Sequence, residues 1–259
     1  MDNYFVSSCK RVKDWICRQF GQKEKKTVHH KKFADGGEVI VWETGRAGEE
    51  AASYENLFLR KEIAGFRTNI RREQSCSIKS LTRDYLYKQL LSSGEYTFDH
   101  MLVIKDPYGE APLTALALFI LDEPAFVRVT TKGNLKETDF VTELPKKKEH
   151  RVPILGMYAE KANTIVIEIL DDEGNCVKSH TFTIRTKRLP KSLRNVITVK
   201  KWTDKPAYSN IMINGGVKIH TCVFDIEGEI RYYLIRNSSK VLPTSLPLPA
   251  MVSSAMLTS

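Results

Sequence analysis

The stretch Thr164-Ile165-Val166-Ile167-Glu168-Ile169-Leu170, then Asp171-Asp172-Glu173-Gly174-Asn175, then Val177–Thr186, decides the fold. Apolar and polar residues alternate on both sides of a short acidic insert. Period two belongs to a β-strand, whose successive side chains face opposite ways. The insert, with its Asp, Gly and Asn, has the chemistry of a hairpin loop. The first firm expectation is therefore an antiparallel pair with one wet and one dry face.

The same reading extends upstream. Phe126, Arg128 and Thr130 alternate with Val127, Val129 and Thr131. A hairpin-like connection at Gly133-Asn134 leads to Asp139–Thr142, and His150–Leu155 follows, with Pro153 marking an edge or a bulge. Met101–Ile104 is an apolar run ending at Asp106-Pro107-Tyr108-Gly109, a turn signal. Leu113–Leu121 is strongly apolar and is bounded by Pro112 and by Asp122-Glu123-Pro124. This amounts to about seven short strands within roughly ninety residues, with no convincing helix between them. A lone sheet cannot hide an apolar face, so the expectation is an all-β core: an immunoglobulin- or fibronectin-like β-sandwich over residues 98–199. The lack of a Cys…Trp…Cys pattern points to the fibronectin side.

The flanks are less regular. Residues 77–97 predict an amphipathic helix, with Ser77 as its cap, Ile78, Leu81, Tyr85, Leu86 and Leu90 as its buried face, and Gly94 as its stop. Residues 1–76 read as a poorly patterned, partly helical or disordered extension. Its best elements are a strand at Glu38–Trp42 and a helix around Ser53–Ala64. Residues 200–236 contain a possible strand at Ile211–Ile213. There, Lys218–Phe224 also faces Glu229–Ile235 across a turn that places Gly228 at positive φ. Residues 237–259, rich in Pro and Ser, read as a disordered tail.

Composition narrows the function classes. The 259 residues carry 40 Lys/Arg against 31 Asp/Glu, a net +9, and the excess is dispersed. Only the first 32 residues are lopsided, with nine basic and three acidic groups. A dispersed excess fits solubility better than a nucleic-acid groove. Val12, Trp15, Ile16 and Phe20 fall at helical spacing, but an ordinary surface helix or frayed tail outweighs a membrane-surface helix there. No run of about 18 apolar residues occurs, which removes a conventional membrane-spanning helix. The opening Tyr4-Phe5-Val6 is cut short by Ser7, Ser8 and Cys9, so it does not build an export signal, and the sequence reads as cytoplasmic.

Chemistry-bearing patterns are sparse. The cysteines at 9, 17, 76, 176 and 222 have no metal spacing, and His29-His30 lacks an obvious third ligand, so neither a metal site nor a cofactor site is expected. No histidine has a Ser, Cys or carboxylate partner at motif spacing. His220 is the one candidate nucleophile, and it reads more readily as a strand histidine on the solvent face. The same reading applies to His100, His150 and His180. Arg231 reads as a surface or packing group.

Several words, taken in order over residues 88–236, resemble the amino-terminal domain of bacterial aryl-sulfate sulfotransferases. They begin with Ser93-Gly94-Glu95-Tyr96-Thr97-Phe98 and Asp106-Pro107-Tyr108-Gly109-Glu110-Ala111-Pro112-Leu113-Thr114-Ala115-Leu116. Asp122-Glu123-Pro124 and the His-x-x-Pro-x-x-Gly-x-Tyr segment from His150 to Tyr158 follow. Asn163-Thr164, then Thr183-Ile184-Arg185-Thr186 through Leu189-Pro190, continue the likeness. Phe224-Asp225-Ile226-Glu227-Gly228-Glu229-Ile230-Arg231-Tyr232-Tyr233-Leu234 is similar to the hairpin that opens the family's β-propeller.

The resemblance implies a sandwich placed before a propeller, and transfer of a sulfuryl group from a phenolic sulfate ester to a phenol through a sulfated propeller histidine. It implies no nucleotide donor and typically an exported or periplasmic location. The family's catalytic His and Arg have no matching positions here, and His220 does not match the sulfated histidine. The expectation is thus a truncated or frameshifted, catalytically incomplete form in which 200–236 starts an incomplete blade. The alternatives are a non-enzymatic binding or dimerisation module, forming a homo-oligomer, and a basic amino terminus that binds nucleic acid or anionic membrane.

Overall fold

The computed structural model describes residues 28–33, 36–52, 74–194, 197–198, 210–213 and 221–235. His220, the expected helix at 53–64, the segment 4–20 and the tail 237–259 lie outside the described residues.

Five long strands carry the sandwich: β3 (His100–Lys105), β4 (Ala115–Thr131), β5 (Phe140–Ile154), β6 (Ala162–Leu170) and β7 (Cys176–Arg185). Two strands precede them, β1 (Val28–Lys32) and β2 (Glu38–Trp42). Together they form one mixed sheet, in the order β1-β2-β3-β4-β6-β7 with β5 on the other side of β4. All pairings are antiparallel except β2 on β3, which is parallel from Glu38↔His100 to Trp42↔Ile104. The sheet curls until its first and last strands approach, where the Lys31 ammonium of β1 reaches the Thr183 hydroxyl of β7 at 3.2 Å. The result is a nearly closed barrel, an immunoglobulin-like sandwich with a helical amino-terminal extension.

The seven short strands expected between residues 98 and 199 are five. Asp122-Glu123-Pro124 does not end a strand; β4 runs through it. The ladder with β5 slips there, between Ile120↔Glu149 and Ala125↔Lys147. Extra residues in one strand bend it and increase its twist, so the proline and two carboxylates make a bulge rather than a break. On the partner strand, Pro145 and Lys146 to Lys148 fall in the same irregular stretch and join two expected strands into one. Before the bulge β4 pairs with β3, and after it with β6. One bent hairpin thereby supplies a strand pair to each half of the sandwich. β5 has β4 as its only partner among the described strands, and its prolines and lysines suit an open edge, where they discourage further pairing.

Burial explains why the strands read so differently in sequence. Val39, Val41, Met101, Val103, Ala117, Phe119, Val127, Val129, Val152, Ile154, Ile165, Ile167, Phe182 and Ile184 face inward and form one core. The opposite face of β2, β3 and the start of β4 is also dry. Ile40, Trp42, Leu102, Ile104, Leu116 and Leu118 pack there under Ala47 and Ala51 of helical residues 44–52 and under Leu86, Tyr87 and Leu91 of α1 (Gln74–Ser92). A strand covered on both faces is an unbroken apolar run, whereas β6 and β7, wet on one face, alternate. Each fully buried aliphatic side chain contributes roughly 1.5–3 kcal/mol relative to exposure.

α1 corrects the sequence reading in two details. It already includes Gln74, so Ser77 lies inside it and is not its cap. Among its described side chains Thr82, Leu86, Tyr87 and Leu91 are buried and Tyr85 and Leu90 are half-buried, while Ile78 and Leu81 lie outside the described side chains. Gly94 ends it at φ +71, as expected. Polar contacts fix the helix to the β3–β4 turn: Arg83 Nη1 donates to the Pro107 carbonyl at 2.7 Å, and the Tyr87 hydroxyl donates to the same oxygen.

Beyond β7 lies a separate three-stranded sheet, β8 (Asn210–Ile213), β9 (Cys222–Asp225) and β10 (Ile230–Tyr233), with β9 in the middle. β9 and β10 pair antiparallel around the turn that contains Gly228 at φ +83.

Candidate functional site

The second sheet is fastened to the sandwich by a dry polar cage, built from the turn upward. Asp225 Oδ1 accepts the backbone N–H groups of Glu227 (3.0 Å) and Glu229 (3.1 Å), which fixes the turn. Its other oxygen accepts from Arg231 Nη1 at 3.0 Å and from the Tyr158 hydroxyl at 3.1 Å. Arg231 and Asp225 are both wholly buried. The guanidinium crosses into the sandwich, where Nε donates to the Gly156 carbonyl (2.7 Å) and Nη1 lies 2.9 Å from the Thr138 carbonyl and from the Tyr158 oxygen. Its carbon sits 3.8 Å from the centre of the Tyr158 ring, a cation–π contact stripped of water. Nη2 is buried and has no hydrogen-bond partner.

The sandwich side is equally constrained. Asn163 Oδ1 accepts the Tyr158 N–H at 2.6 Å, and its amide donates to the Tyr158 carbonyl at 3.0 Å. The Thr186 hydroxyl donates to that carbonyl as well. The Tyr158 oxygen also accepts the Asn134 N–H at 2.9 Å. Burial pushes the Tyr158 phenol above its usual range, against the donors from Thr138 and Asn134, so it remains a hydroxyl near neutral pH. Gly156 adopts φ +73, and a Cβ there would stand 2.6 Å from Phe140 Cβ. Only glycine lets this carbonyl face the arginine.

Arg231 is therefore a packing group and not a surface one. Its sequence signal was weak, because an arginine in a strand beside two tyrosines usually snorkels to water. The spacing Asp225 to Arg231 across a tight turn is the feature that could have exposed the pair.

A second cluster joins β7 to the turn before β3. Asp99 accepts from Lys178 Nζ at 2.6 Å and from His180 Nε2 at 2.8 Å. The imidazole lies between Phe33 (4.0 Å between centroids, nearly parallel) and Phe98 (4.6 Å). The hydrogen bond from Lys178 holds the Asp99 carboxyl below its ordinary value, against a desolvation effect in the other direction, with His180 adding to the lowering.

The histidines expected on solvent faces divide. His180 and His150 are buried, a correction to the sequence reading, because their rings fill aromatic slots in the core. His150 stacks on Phe119 at 5.4 Å with Nε2 2.8 Å from the Lys147 carbonyl, and burial lowers its pKa. His100 is half-buried, its Nδ1 2.9 Å from Glu38. Among the described residues no group of three His, Cys, Asp or Glu is arranged to hold a metal ion. No described helix is long and apolar enough to cross a membrane. Beside the cage, a cleft of about 350 Å³ is rimmed by Arg188, Arg194, Glu160 and Glu229, and its charges balance.

The fold and cage define a β-sandwich whose polar interior anchors the strands that follow it. Residues 102–187 match the model of the arylsulfotransferase Ig-like domain. No match appears among curated proteins.

Proposed function

We propose that this chain is an arylsulfotransferase-type sandwich that seats following strands and is catalytically incomplete for sulfuryl transfer. The observation that carries this reading is the Arg231–Asp225–Tyr158 cage. It devotes a buried ion pair, two backbone carbonyls that accept from Arg231 and a cation–π contact to docking one sheet on another. Several words behind the family resemblance meet there: Gly156, Tyr158, Asn163, Thr186, Asp225 and Arg231. Sulfuryl transfer of the family kind needs an exposed imidazole to attack sulfur and cations to hold the anionic group. The buried imidazoles of His150 and His180 are stacked against phenyl rings and offer no such approach. Strands β8, β9 and β10 are the opening of the family's propeller in this reading.

The test is release of 4-nitrophenol from 4-nitrophenyl sulfate with phenol as acceptor. The purified chain is expected to give the buffer rate. Turnover above that rate that is abolished by His220→Ala would overturn the reading.

A further inference from the structure

The barrel has a second end, away from the cage. β6 passes the cage at Asn163 and ends at Leu170, about 23 Å further on at roughly 3.3 Å per residue. There the bend of β4, the loop after β6 and the turn before β3 surround an open cleft of about 600 Å³. Phe98, Leu121, Ile169 and Leu170 line its apolar floor, and Val177, 68% exposed, stands at its lip. Barrel mouths with an apolar lining and a few convergent polar groups are places where ligands bind.

The rim carries one sign of charge. Six carboxylates line the cleft against two lysines, a local −4 in a chain of net +9. Both lysines are engaged, Lys146 with Asp172 and Lys178 with Asp99. Asp171 accepts the backbone N–H groups of Glu173 (3.0 Å) and Asn175 (2.7 Å), which close its turn and leave its charge uncompensated. Among the described residues, the side chains of Asp122, Glu123 and Glu173 have no hydrogen-bond or ion-pair partner. Main-chain groups are open as well. Where β4 slips against β5, residues 121–124 face no ladder partner, and β4 meets β6 only from Phe126↔Leu170 onward.

We propose that this mouth docks a basic peptide segment of another protein, extended along the bulge of β4 with an apolar side chain on the floor and lysines or arginines on Asp122, Glu123 and Glu173. Each feature selects a different part of that partner. The open N–H and C=O groups of residues 121–123 take an extended backbone, the floor takes an apolar anchor, and the surplus carboxylates take cations. A small amine would use only the last two. Exposed ion pairs are individually weak and screened by salt, so the anchor gives affinity while the charges give selectivity.

The probes are a fluorescein-labelled Lys-Leu-Lys-Leu-Lys peptide, its Glu-Leu-Glu-Leu-Glu counterpart and benzylamine, each added to the full-length chain. Fluorescence anisotropy is expected to show binding of the lysine peptide alone, weakening at least tenfold from about 20 mM to about 500 mM salt. The Asp122→Asn/Glu123→Gln/Glu173→Gln chain is expected to keep its thermal midpoint, since these side chains are exposed, and to bind the peptide at least tenfold more weakly. Hydrogen exchange of the unaltered chain is expected to slow at residues 121–123 and 170–177 when the peptide is added. Equal binding of both labelled peptides, undiminished binding by the triple variant, or no slowing at residues 121–123 overturns the proposal. Slowing at residues 170–177 by benzylamine as strong as that by the peptide assigns the cleft to small amines instead. Self-association that the triple variant abolishes assigns it to a second copy of the chain, and either result overturns the peptide site.

Discussion

Two polar clusters hold this molecule together, and they differ in water. The Arg231 cage is dry, with both charges wholly buried and the arginine surrounded by carbonyls and a phenol ring. The Asp99 cluster is half wet: His180 is buried between rings, but the carboxylate is about half exposed and the lysine is at the surface. Solvent screening makes the second worth little as an ion pair, whereas removing one member of the first strands a charge in the interior. The dry cluster gives the second sheet a directional anchor, beside the apolar contacts of Cys222, Phe224, Ile230 and Tyr233, which share the sandwich core. The wet one trims the barrel seam, where stacking and apolar contacts carry most of the energy.

The largest effect follows from the dry side. Arg231→Met is expected to cost about 3–5 kcal/mol in urea unfolding, the penalty for an unpaired buried carboxylate. Pairing it with Asp225→Asn removes the stranded charge and should recover a substantial part. Equal loss in the single and double variants would place the cost in packing instead.

The smallest effect belongs to the wet side. Asp99 has a lowered pKa when folded, so its stabilisation is present above the unfolded value, near 3.8, and is lost as pH falls through the folded one. Asp99→Asn should cost less than about 1 kcal/mol at pH 7. It should also flatten the acid limb of stability below about pH 4, read by urea midpoints across pH. An acid limb unchanged by the substitution would remove Asp99 from the account.

The contrast also shows what was legible in the sequence. β6 and β7 were readable because one face is wet, which leaves a period-two record in Thr164–Leu170 and Val177–Thr186. The bent hairpin was misread as four strands because Asp122-Glu123-Pro124 has the chemistry of a turn, and only pairing with β5 keeps that backbone in the sheet. The strand at Glu38–Trp42 was visible as an apolar run, but its parallel seat on β3 was not, since pairing across nearly sixty residues leaves no local pattern. His180 was read as outward-facing, and Arg231 was left between surface and packing, for a common reason. Burial of a polar side chain depends on partners distant in the chain: Asp99 and Phe33 for one, Gly156 and Tyr158 for the other.

Cys222, in the middle strand of the second sheet, is buried, and burial raises its thiol pKa, so it reports directly on docking. The decisive measurement is alkylation of Cys222 along a urea series, mapped by mass spectrometry beside hydrogen exchange at Ile165 and Ile167 of the sandwich. If the cage makes the two sheets one cooperative unit, Cys222 becomes reactive only where those amides become exchangeable, and Arg231→Met uncouples the two. Labelling of Cys222 in the unaltered chain at urea concentrations well below those that release the sandwich amides would contradict the account.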